Sequence, residues 1–239
     1  MKISIVLPAY NEENNIAQAV SDCVEYLSGK SGEIIVVDDG STDQTSSLLE
    51  NLCKKHGDIL RVIRHKTNLG YATSLKDGFL ATTGDWIFYT DSDLQFDIQD
   101  IDLLLPHQDS ADIIVGYRIN RQDPATRKFA AKIYNLIIRC FFGLRVRDVD
   151  CAFKLFRRQV FDQIRIESSH FLVDAEILIK AKTVGISIAE VGVKHRPRYG
   201  GESKVRFQHV AYTILGLAKF WYQINLGGGI PKQQRIMPD

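Results

Sequence analysis

The stretch DWIFYTDSDLQFD, residues 85–97, runs an apolar β-strand pattern directly into a cluster of carboxylates. The apolar run from Trp86 to Tyr89 is typical of a strand that is buried on both faces. Carboxylates are almost never buried unless they are paired or bind a metal ion. We therefore expect Asp91 and Asp93 to lie where the strand leaves its sheet, in the crevice where open α/β sheets bind ligands. Taken alone, the aspartates fit equally well a turn that begins a helix near Gln99. The rest of the sequence is needed to distinguish a ligand site from such a turn.

Strand-like and helix-like segments alternate on both sides of this stretch. Helical patterns of about 10–15 residues between strands predict βαβ units and a mostly parallel sheet, which is an α/β fold. The predicted strands are ISIVLPAY, EIIVVDDG, ILRVIRH, DWIFYTD and DIIVGYR, and the predicted helices cover about 12–27, 43–56, 71–82, 99–104 and 126–142.

The composition of the 239 residues, 45% apolar and 25% charged, is that of one large globular domain or a domain with an appendage. A net charge of +1 argues against a general nucleic-acid binder, which carries a strong basic excess. The scattered cysteines lack C-x-x-C spacing and predict reduced thiols of a cytosolic protein, with neither a zinc site nor a disulfide framework. They are Cys23, Cys53, Cys140 and Cys151.

Neither a signal peptide nor a membrane-spanning helix is expected from the sequence. Met1 leads directly into a strand pattern, and Pro8 and Asn11 interrupt it before an apolar signal region develops. The longest apolar run, residues 210–222, contains Lys219 and is shorter than the roughly 20 residues that a spanning helix needs. If the protein meets a membrane, we expect it to lie on the surface.

Polar residues gather where the predicted strands end. They are Tyr10, Asn11 and Glu12 after the first strand, Asp38 and Asp39 after the second, Asp91 and Asp93 after the fourth, and Arg118 after the fifth. Neither G-x-G-x-x-G nor G-x-x-x-x-G-K-[ST] follows any strand, which argues against a dinucleotide-binding or P-loop enzyme. An acidic D-x-D without a phosphate loop instead suggests Mg²⁺ or Mn²⁺ held between carboxylates and a diphosphate. In an extended chain Asp91 and Asp93 project to the same side, and Gln95 extends the series as a neutral ligand.

The sequence as a whole resembles the family 2 glycosyltransferases of the GT-A fold, and within them the dolichol- or polyprenyl-phosphate sugar synthases such as the mannose synthases. The motifs that carry the resemblance follow in order from about Ile3 to Val205. They are VLPAYNEENNI, IIVVDDGSTDQT, NLGYATSLKDGFLATTGDWIFYTDSDLQFD, RVRDVDCAFKLFRRQVF and PRYGGESKV. The resemblance implies a Rossmann-like nucleotide-sugar-binding sheet flanked by helices, with a C-terminal amphipathic helix.

The resemblance also implies roles for individual residues. The nucleotide pocket would be lined by Pro8, Tyr10, Glu12, Val37 and Asp39, with Asp39 on the base or ribose and Asp38 bracing its loop. Asp91 and Ser92 would lie against the nucleotide sugar, and the metal on the diphosphate would be held by Asp91, Asp93 and Gln95. Arg198 and Lys204 would close over the diphosphate on the loop RPRYGGESK, whose glycine pair suits a mobile lid. Arg118 would lie beside the donor sugar or the acceptor phosphate.

Two acids are candidates for a catalytic base, Asp174 and Glu176 in HFLVDAEI. A phosphate acceptor scarcely needs a base, because a phosphate monoester is already anionic at neutral pH. A hydroxyl acceptor normally needs a carboxylate. Two residues that are two positions apart on a helix point about 200° apart, so we expect one of them to face the site. Either acid could instead stabilise the N-terminus of its helix.

Positive charge is concentrated between Arg118 and Arg147, where eight lysines and arginines stand against the single acid Asp123. The helix TRKFAAKIYNLIIRCFF in this segment has an apolar stripe of Phe129, Ile133, Leu136, Ile137, Cys140 and Phe141. A basic, aromatic-rich amphipathic helix is typical of an interfacial membrane binder. The alternative is a helix packed on the sheet with a solvated basic face. The segment FQHVAYTILGLAKFWYQI is a second candidate, because Trp221 and Tyr222 favour interfaces.

Together these features predict a GT-A domain over residues 1–206 and an amphipathic helix with a loose tail over 207–239. The predicted enzyme is an inverting, metal-dependent glycosyltransferase that moves a sugar from a UDP- or GDP-sugar to a polyprenyl phosphate. We expect it at the cytosolic face of a membrane, bound peripherally or through an anchoring partner. One alternative is a soluble glycosyltransferase with a saccharide or other hydroxyl acceptor. Another is a nucleotide-sugar-binding protein without catalytic activity.

Overall fold

The structure, a computed structural model, describes residues 1–121, 123–168, 172–197, 216–222 and 224. Its seven strands are β1 (Ile3–Ala9), β2 (Gly32–Asp38), β3 (Leu60–Arg64), β4 (Trp86–Thr90), β5 (Ile113–Ile119), β6 (Phe153–Arg157) and β7 (Ile188–Lys194). Its helices are α1 (Ile16–Tyr26), α2 (Thr45–His56), α3 (Tyr71–Ala81), α4 (Ile101–Leu104), α5 (Ala125–Phe142), α6 (Val160–Gln163) and α7 (Val173–Thr183). Residues 216–222 are also helical.

The strands form one sheet in the order β3-β2-β1-β4-β6-β5-β7. Strands β1 to β4 are parallel, β5 is parallel to β7, and β6 runs antiparallel to both of its neighbours. The prediction of a mostly parallel α/β sheet is therefore confirmed, and each of the five predicted strands is present.

Alternating side chains of the strands divide the core into two apolar layers, one on each face of the sheet. Ile5 and Ile34 point into the layer that α1, α2 and α4 cover. Val6 and Ile35 point into the layer formed with α3, α5 and α7. This period of two is why β1 and β2 read as continuous apolar runs, since both of their faces are buried.

The order of the strands reverses at β1, which lies between β2 and β4. Such a reversal opens a crevice outside the carboxyl ends of the strands. Among the described residues, three other than glycine have a positive φ, namely Asn11 at 52°, Leu94 at 62° and Asn120 at 53°, and they follow β1, β4 and β5. This conformation is uncommon for such residues and clusters at functional sites. The unusual backbone of the described chain is thus concentrated at the carboxyl-end edge of the sheet.

The predicted apolar stripe of α5 faces solvent rather than the sheet. Phe129, Leu136 and Phe141 are 65%, 58% and 61% exposed, and Ile133 is also exposed. The helix instead rests on the core through the opposite side, where Ile138 is buried. Ile137 of the stripe packs against the core, whereas the exposed members do not, so the alternative that the stripe as a whole packs on the sheet is wrong. No helix among the described residues is both long and apolar enough to cross a membrane.

Helix boundaries differ from prediction mainly where a turn precedes the helix. Residues 12–15 were expected within the first helix, but they form a turn in which the amide of Asn15 donates to the carbonyl of Glu12 at 2.9 Å. The predicted domain boundary after residue 206 and most of the second amphipathic segment lie outside the described residues.

Candidate active site

Asp91 and Asp93 lie directly after β4, beside the strand-order reversal. Oδ1 of Asp91 accepts a hydrogen bond of 3.0 Å from the hydroxyl of Tyr71 at the start of α3. Burial, together with the negative charges of Asp93, Asp174 and Glu12, raises the pKa of Asp91 to about 7. Carboxylates that repel one another in this way form a favourable site for a cation.

The residues present fit a hard divalent cation, because Asp91 and Asp93 supply oxygen ligands on one turn. Among the described residues, no three His, Cys, Asp or Glu side chains form a metal cage by themselves. A Mg²⁺ or Mn²⁺ at this turn would therefore complete its coordination with water and substrate oxygens, as Mg²⁺ commonly does.

Gln95 does not continue the row of ligands as the extended chain predicts. Leu94 adopts a left-handed conformation, and the backbone therefore turns between Asp93 and Gln95. The amide of Gln95 donates to Oδ1 of Asp93 at 3.2 Å, while its side chain donates to the carbonyl of Arg196 at 3.3 Å. Gln95 thus joins this turn to the segment after β7.

Ser92 and Pro8 hold the ends of two strands together. The Ser92 hydroxyl, which is buried, donates to the Pro8 carbonyl at 2.9 Å. Pro8 is tolerated in β1 because the β1–β4 pairing stops at Val6, before the proline. The hydroxyl of Ser92 is thus bonded to β1, and its contact with the nucleotide sugar stays a prediction.

Asp38 and Asp39, at the carboxyl end of β2, make different contacts. Asp38 is fully buried and accepts hydrogen bonds from the amide of Ser41 at 3.0 Å and from the hydroxyl of Ser46, so it braces the loop as predicted. Asp39 accepts from the amides of Leu69 and Gly70, both at 2.8 Å, and lies 2.7 Å from a ring nitrogen of His65.

The remaining residues of the predicted nucleotide pocket have different surroundings. Tyr10 is half-buried directly after β1. Glu12 is buried, accepts from the side-chain amide of Asn15 at 2.7 Å, and adds its negative charge to the surroundings of Asp91. Val37 does not line a pocket, because it points into the core layer opposite Gly78 of α3.

Asp174 belongs to a buried ion pair beneath the acidic turn. The ammonium of Lys154 lies 2.5 Å from Oδ1 of Asp174 and also donates to the carbonyl of Cys151 at 2.6 Å and the hydroxyl of Tyr89 at 3.1 Å. Tyr89 donates its own hydroxyl to Asp174. All three ammonium donors are satisfied, so the pair is well compensated for its burial.

Glu176 is held elsewhere on α7. Its carboxylate accepts hydrogen bonds from the amides of Glu167 and Ser168, both at 2.8 Å, and lies 2.6 Å from the ammonium of Lys180. The two acids therefore diverge as the helix geometry predicts, and the prediction of Glu176 as a catalytic base is corrected. Of the two candidate bases, Asp174 is the one whose negative charge raises the pKa of Asp91.

The guanidinium of Arg118 forms an ion pair within the protein, so only part of it is available to a substrate. Two of its nitrogens lie 2.7 Å from the two carboxylate oxygens of Asp148, which is a bidentate contact. Although burial opposes the change, this contact lowers the pKa of Asp148. Asp150, two residues along, is exposed to solvent, yet the protein packed around it and the negative charge of Asp174 raise its pKa.

The sequence reasoning missed Lys154, Tyr89, Tyr71, Asp148 and His65 as parts of this region. One signal was present: Lys154 interrupts the otherwise apolar FKLF of β6 and stands opposite Tyr89 of β4. A charged residue inside a central strand predicts a buried partner. Arg198 and Lys204 lie outside the described residues, so the predicted lid stays a prediction.

Comparison with known proteins gives the family of this chain. The model of glycosyl transferase family 2 matches residues 4–165. Glycosyltransferase AglD of Haloferax volcanii is 30% identical over 253 residues, a match that covers 99% of this chain and 40% of AglD. Undecaprenyl-phosphate 4-deoxy-4-formamido-L-arabinose transferase of Enterobacter sp. (strain 638) is 33% identical over 221 residues, covering 90% of this chain and 66% of the relative. The chain thus spans between two fifths and two thirds of these relatives.

Solved structures show the same fold. Glucosyl-3-phosphoglycerate synthase from Mycobacterium tuberculosis, crystallised with Mn²⁺, UDP and phosphoglyceric acid, has a TM-score of 0.75 at 20% identity, covering 96% of this chain and 79% of that one. Its complex with Mn²⁺, UDP and glucosyl-3-phosphoglycerate has a TM-score of 0.73 at 19% identity, covering 91% and 79%. The predicted GT-A-like fold is confirmed. With more than half of its length matched by the family model, the chain belongs to glycosyl transferase family 2.

Proposed function

We propose that the protein is an inverting, metal-dependent glycosyltransferase that moves a sugar from a UDP- or GDP-sugar to a polyprenyl phosphate. The observation that carries the proposal is the convergence of Asp91 and Asp93 with the charges of Asp174 and Glu12 at the strand-order reversal. This concentration of negative charge fits a metal-bound diphosphate better than it fits a structural role, because the hydrogen bond from Tyr71 offsets only part of the repulsion at Asp91.

Different residues along the crevice would bind different parts of the donor. Asp93 and Asp91 would hold the cation on the donor diphosphate, and Asp39 would meet the nucleoside on the other side of β1. When bound, the cation neutralises the charge that develops on the leaving diphosphate. Arg198 and Lys204, which follow β7 in the sequence, would add positive charge to the same diphosphate. An acceptor oxygen would attack the anomeric carbon from the opposite side.

The bonding of the two candidate bases favours a phosphate acceptor. Asp174 is engaged by Lys154 and Tyr89, and Glu176 is engaged by Lys180 and two backbone amides. Neither carboxylate is available to take a proton without breaking a buried ion pair, which is costly. A phosphate monoester attacks as an anion and scarcely needs a base. A saccharide hydroxyl would need one.

The outer face of α5 supports a lipid-linked acceptor. Exposed apolar side chains are rare in patches on soluble surfaces, and here they alternate with lysines and arginines along one helix. Such a helix can lie in the headgroup region of an anionic membrane. The name of the relative from Enterobacter specifies undecaprenyl phosphate, which agrees with this assignment. We therefore propose peripheral binding at the cytosolic face of a membrane, directly or beside an anchoring partner.

A transfer assay tests the proposal. The protein is incubated with a panel of UDP- and GDP-sugars, Mn²⁺, and either a short polyprenyl phosphate or buffer, and nucleotide release is measured. We expect the lipid phosphate to accelerate release from one donor, and Asp93→Ala to abolish it, whereas Asp109→Asn on the exposed surface after α4 has no effect.

The other outcomes separate the alternatives. A donor that binds without acceleration by the lipid phosphate, but with acceleration by a saccharide, indicates a soluble hydroxyl-acceptor enzyme. Binding of donor without any turnover indicates a nucleotide-sugar-binding protein. If no donor binds in the presence of Mn²⁺, the proposed function is wrong.

A further inference from the structure

The two oxygens of the Asp91 carboxylate have different surroundings. Oδ1 accepts a hydrogen bond of 3.0 Å from the hydroxyl of Tyr71. Oδ2 accepts no hydrogen bond from any residue that the structure describes, although the side chain is half-buried. One oxygen is therefore held by the protein, and the other is left for a ligand.

The fold explains why Asp91 faces Tyr71. Side chains of an extended chain alternate between the two faces of the sheet, so Asp91 continues the face of Tyr89, which points into the core layer of α3, α5 and α7. Tyr71 is the first residue of α3, and it packs against the same layer. Its hydroxyl thus meets Asp91 where that layer ends at the crevice.

Tyr89 points into this layer as well, but its hydroxyl has other partners. Its single proton is donated to Asp174, and its oxygen accepts from the ammonium of Lys154 at 3.1 Å. Of the two tyrosines, Tyr71 is therefore the one that donates to Asp91.

The two aspartates of the turn are oriented in different ways. Oδ1 of Asp93 accepts the amide of Gln95 at 3.2 Å, within a turn that the left-handed conformation of Leu94 forms. Asp91 receives no hydrogen bond from its own turn, and the negative charge of Asp93 repels it. The hydrogen bond from Tyr71 keeps the Asp91 carboxylate in place against this repulsion.

We propose that Tyr71 is a positioning residue for the divalent cation, an inference that rests on the proposed function. By holding Oδ1 of Asp91, Tyr71 leaves Oδ2 free to bind the cation that the donor diphosphate also binds. Hydrogen-bond partners that orient a metal-binding side chain contribute about 10–100-fold to metal affinity. A ligand that is already oriented loses less conformational freedom when the metal binds.

Calorimetric titration with MnCl₂ of the protein saturated with UDP or GDP, whichever the wild type binds more tightly, tests the proposal. We expect Tyr71→Phe, which keeps the packed ring and removes only the hydroxyl, to weaken Mn²⁺ binding by about 10–100-fold. The matched control is Tyr134→Phe, because the hydroxyl of Tyr134 is buried without a hydrogen-bond partner among the described residues. The control should bind Mn²⁺ as the wild type does, and nucleotide binding in EDTA should be the same in all three proteins.

A double variant tests whether Tyr71 acts through Asp91. The Asp91→Ala background has no carboxylate to orient, so the addition of Tyr71→Phe should cause no further loss of Mn²⁺ affinity. A further loss as large as that in the wild-type background would overturn the proposal. If Asp91→Ala binds no measurable Mn²⁺, the single variants still decide.

The remaining outcomes separate this proposal from the proposed function. Equal Mn²⁺ affinity of Tyr71→Phe and the wild type overturns the positioning role but leaves the glycosyltransferase proposal intact. So does an equal loss in Tyr134→Phe, or a matching loss of nucleotide binding in EDTA, since either shows a general structural effect. Failure of the wild type to bind Mn²⁺ with either nucleotide removes the proposed function as well.

Discussion

At the scale of single residues, Lys154 has the least ordinary environment, because its ammonium is fully buried in the centre of the sheet. Its three hydrogen bonds go to Asp174, Tyr89 and the carbonyl of Cys151. A buried ion pair contributes little net stability when it is intact, but the loss of one partner leaves a buried charge without compensation. The stability of the region under the acidic turn therefore depends on both members.

We predict that Lys154→Met lowers the free energy of unfolding by about 3–5 kcal/mol, because Asp174 is left buried and unpaired. Urea denaturation followed by circular dichroism measures this. The double variant Lys154→Met, Asp174→Leu should recover most of the loss, and Lys55→Met on the exposed side of α2 should change little. A single variant as stable as the wild type would show that Asp174 is neutral or hydrated.

Asp150 gives a prediction about pH. The protein packed around Asp150 and the negative charge of Asp174 raise its pKa from 3.8 toward about 7, and the solvent that reaches the side chain moderates this rise. Between these two values the unfolded chain loses the proton while the folded chain keeps it, so the free energy of unfolding falls as the pH rises. Asp150→Asn cannot ionise and avoids this loss.

We therefore expect Asp150→Asn to unfold at a higher temperature than the wild type at pH 8, with the difference closing near pH 4. Scanning fluorimetry across this range measures it, with Asp109→Asn as the control. An equal difference at every pH would mean that the substitution acts through packing or hydrogen bonding rather than through ionisation.

The sequence could predict which residues are polar at the end of a strand, but not which way each side chain points. Asp91, Asp93 and Asp39 were placed correctly at strand ends because carboxylates seldom lie inside strands. Val37 and Glu176 were misplaced, since their orientation depends on the face of the strand or helix that meets the core. Lys154 was missed because its partner Asp174 is distant in the chain.

At the scale of elements, α5 shows what periodicity can establish. The spacing of its apolar residues correctly predicts an amphipathic helix, and the observed bounds Ala125–Phe142 differ by one residue from those expected. Periodicity does not tell whether the apolar stripe meets the core or the solvent. Here Ile138 and the partly buried Ile137 meet the core, and most of the stripe remains exposed.

We predict that Phe129→Glu together with Leu136→Glu reduces binding to vesicles that contain anionic lipid by at least about tenfold, since both the apolar contact and the charge attraction are weakened. Thermal stability should change little, because both side chains are mostly exposed. Sedimentation of vesicles with bound protein measures the effect.

The matched control is Leu103→Glu, which puts the same charge on an exposed leucine of α4, on the opposite layer of the sheet. It should bind vesicles almost as well as the wild type. Equal losses in the control and the α5 variant would indicate a general charge effect, and the assignment of α5 as the membrane-facing surface would then be wrong.

At the scale of the whole molecule, the βαβ alternation was sufficient to predict a mostly parallel sheet, and it placed the polar residues of β1, β2 and β4 along one edge. It did not predict that β6 enters between β4 and β5 in the opposite direction. The pairing of β6 with β4 joins segments that are far apart in sequence, and the long helix α5 between β5 and β6 suggests a parallel unit rather than the antiparallel pair that forms. The strand nonetheless matters, since it brings Lys154 beneath the crevice.

In the proposed function the crevice would bring together a cation at the end of β4 and a nucleoside at the end of β2, and the two should be coupled through the diphosphate. A bound cation would relieve the repulsion among the carboxylates around Asp91, and the diphosphate would supply the ligands that two aspartates cannot. Because coupling between two ligands is reciprocal, each should strengthen the binding of the other by the same factor.

We therefore predict that Mn²⁺ and UDP together raise the unfolding temperature by more than the sum of their separate effects. At a concentration about 100 times the dissociation constant, a ligand stabilises by about 2.7 kcal/mol, or roughly 5–10 °C for a chain of this size. In Asp93→Ala, UDP alone should keep its small effect while the additional gain with Mn²⁺ disappears. Additive shifts in the wild type would mean that the metal and the nucleotide occupy separate sites, and the carboxylates after β4 would then hold a cation that does not touch the donor.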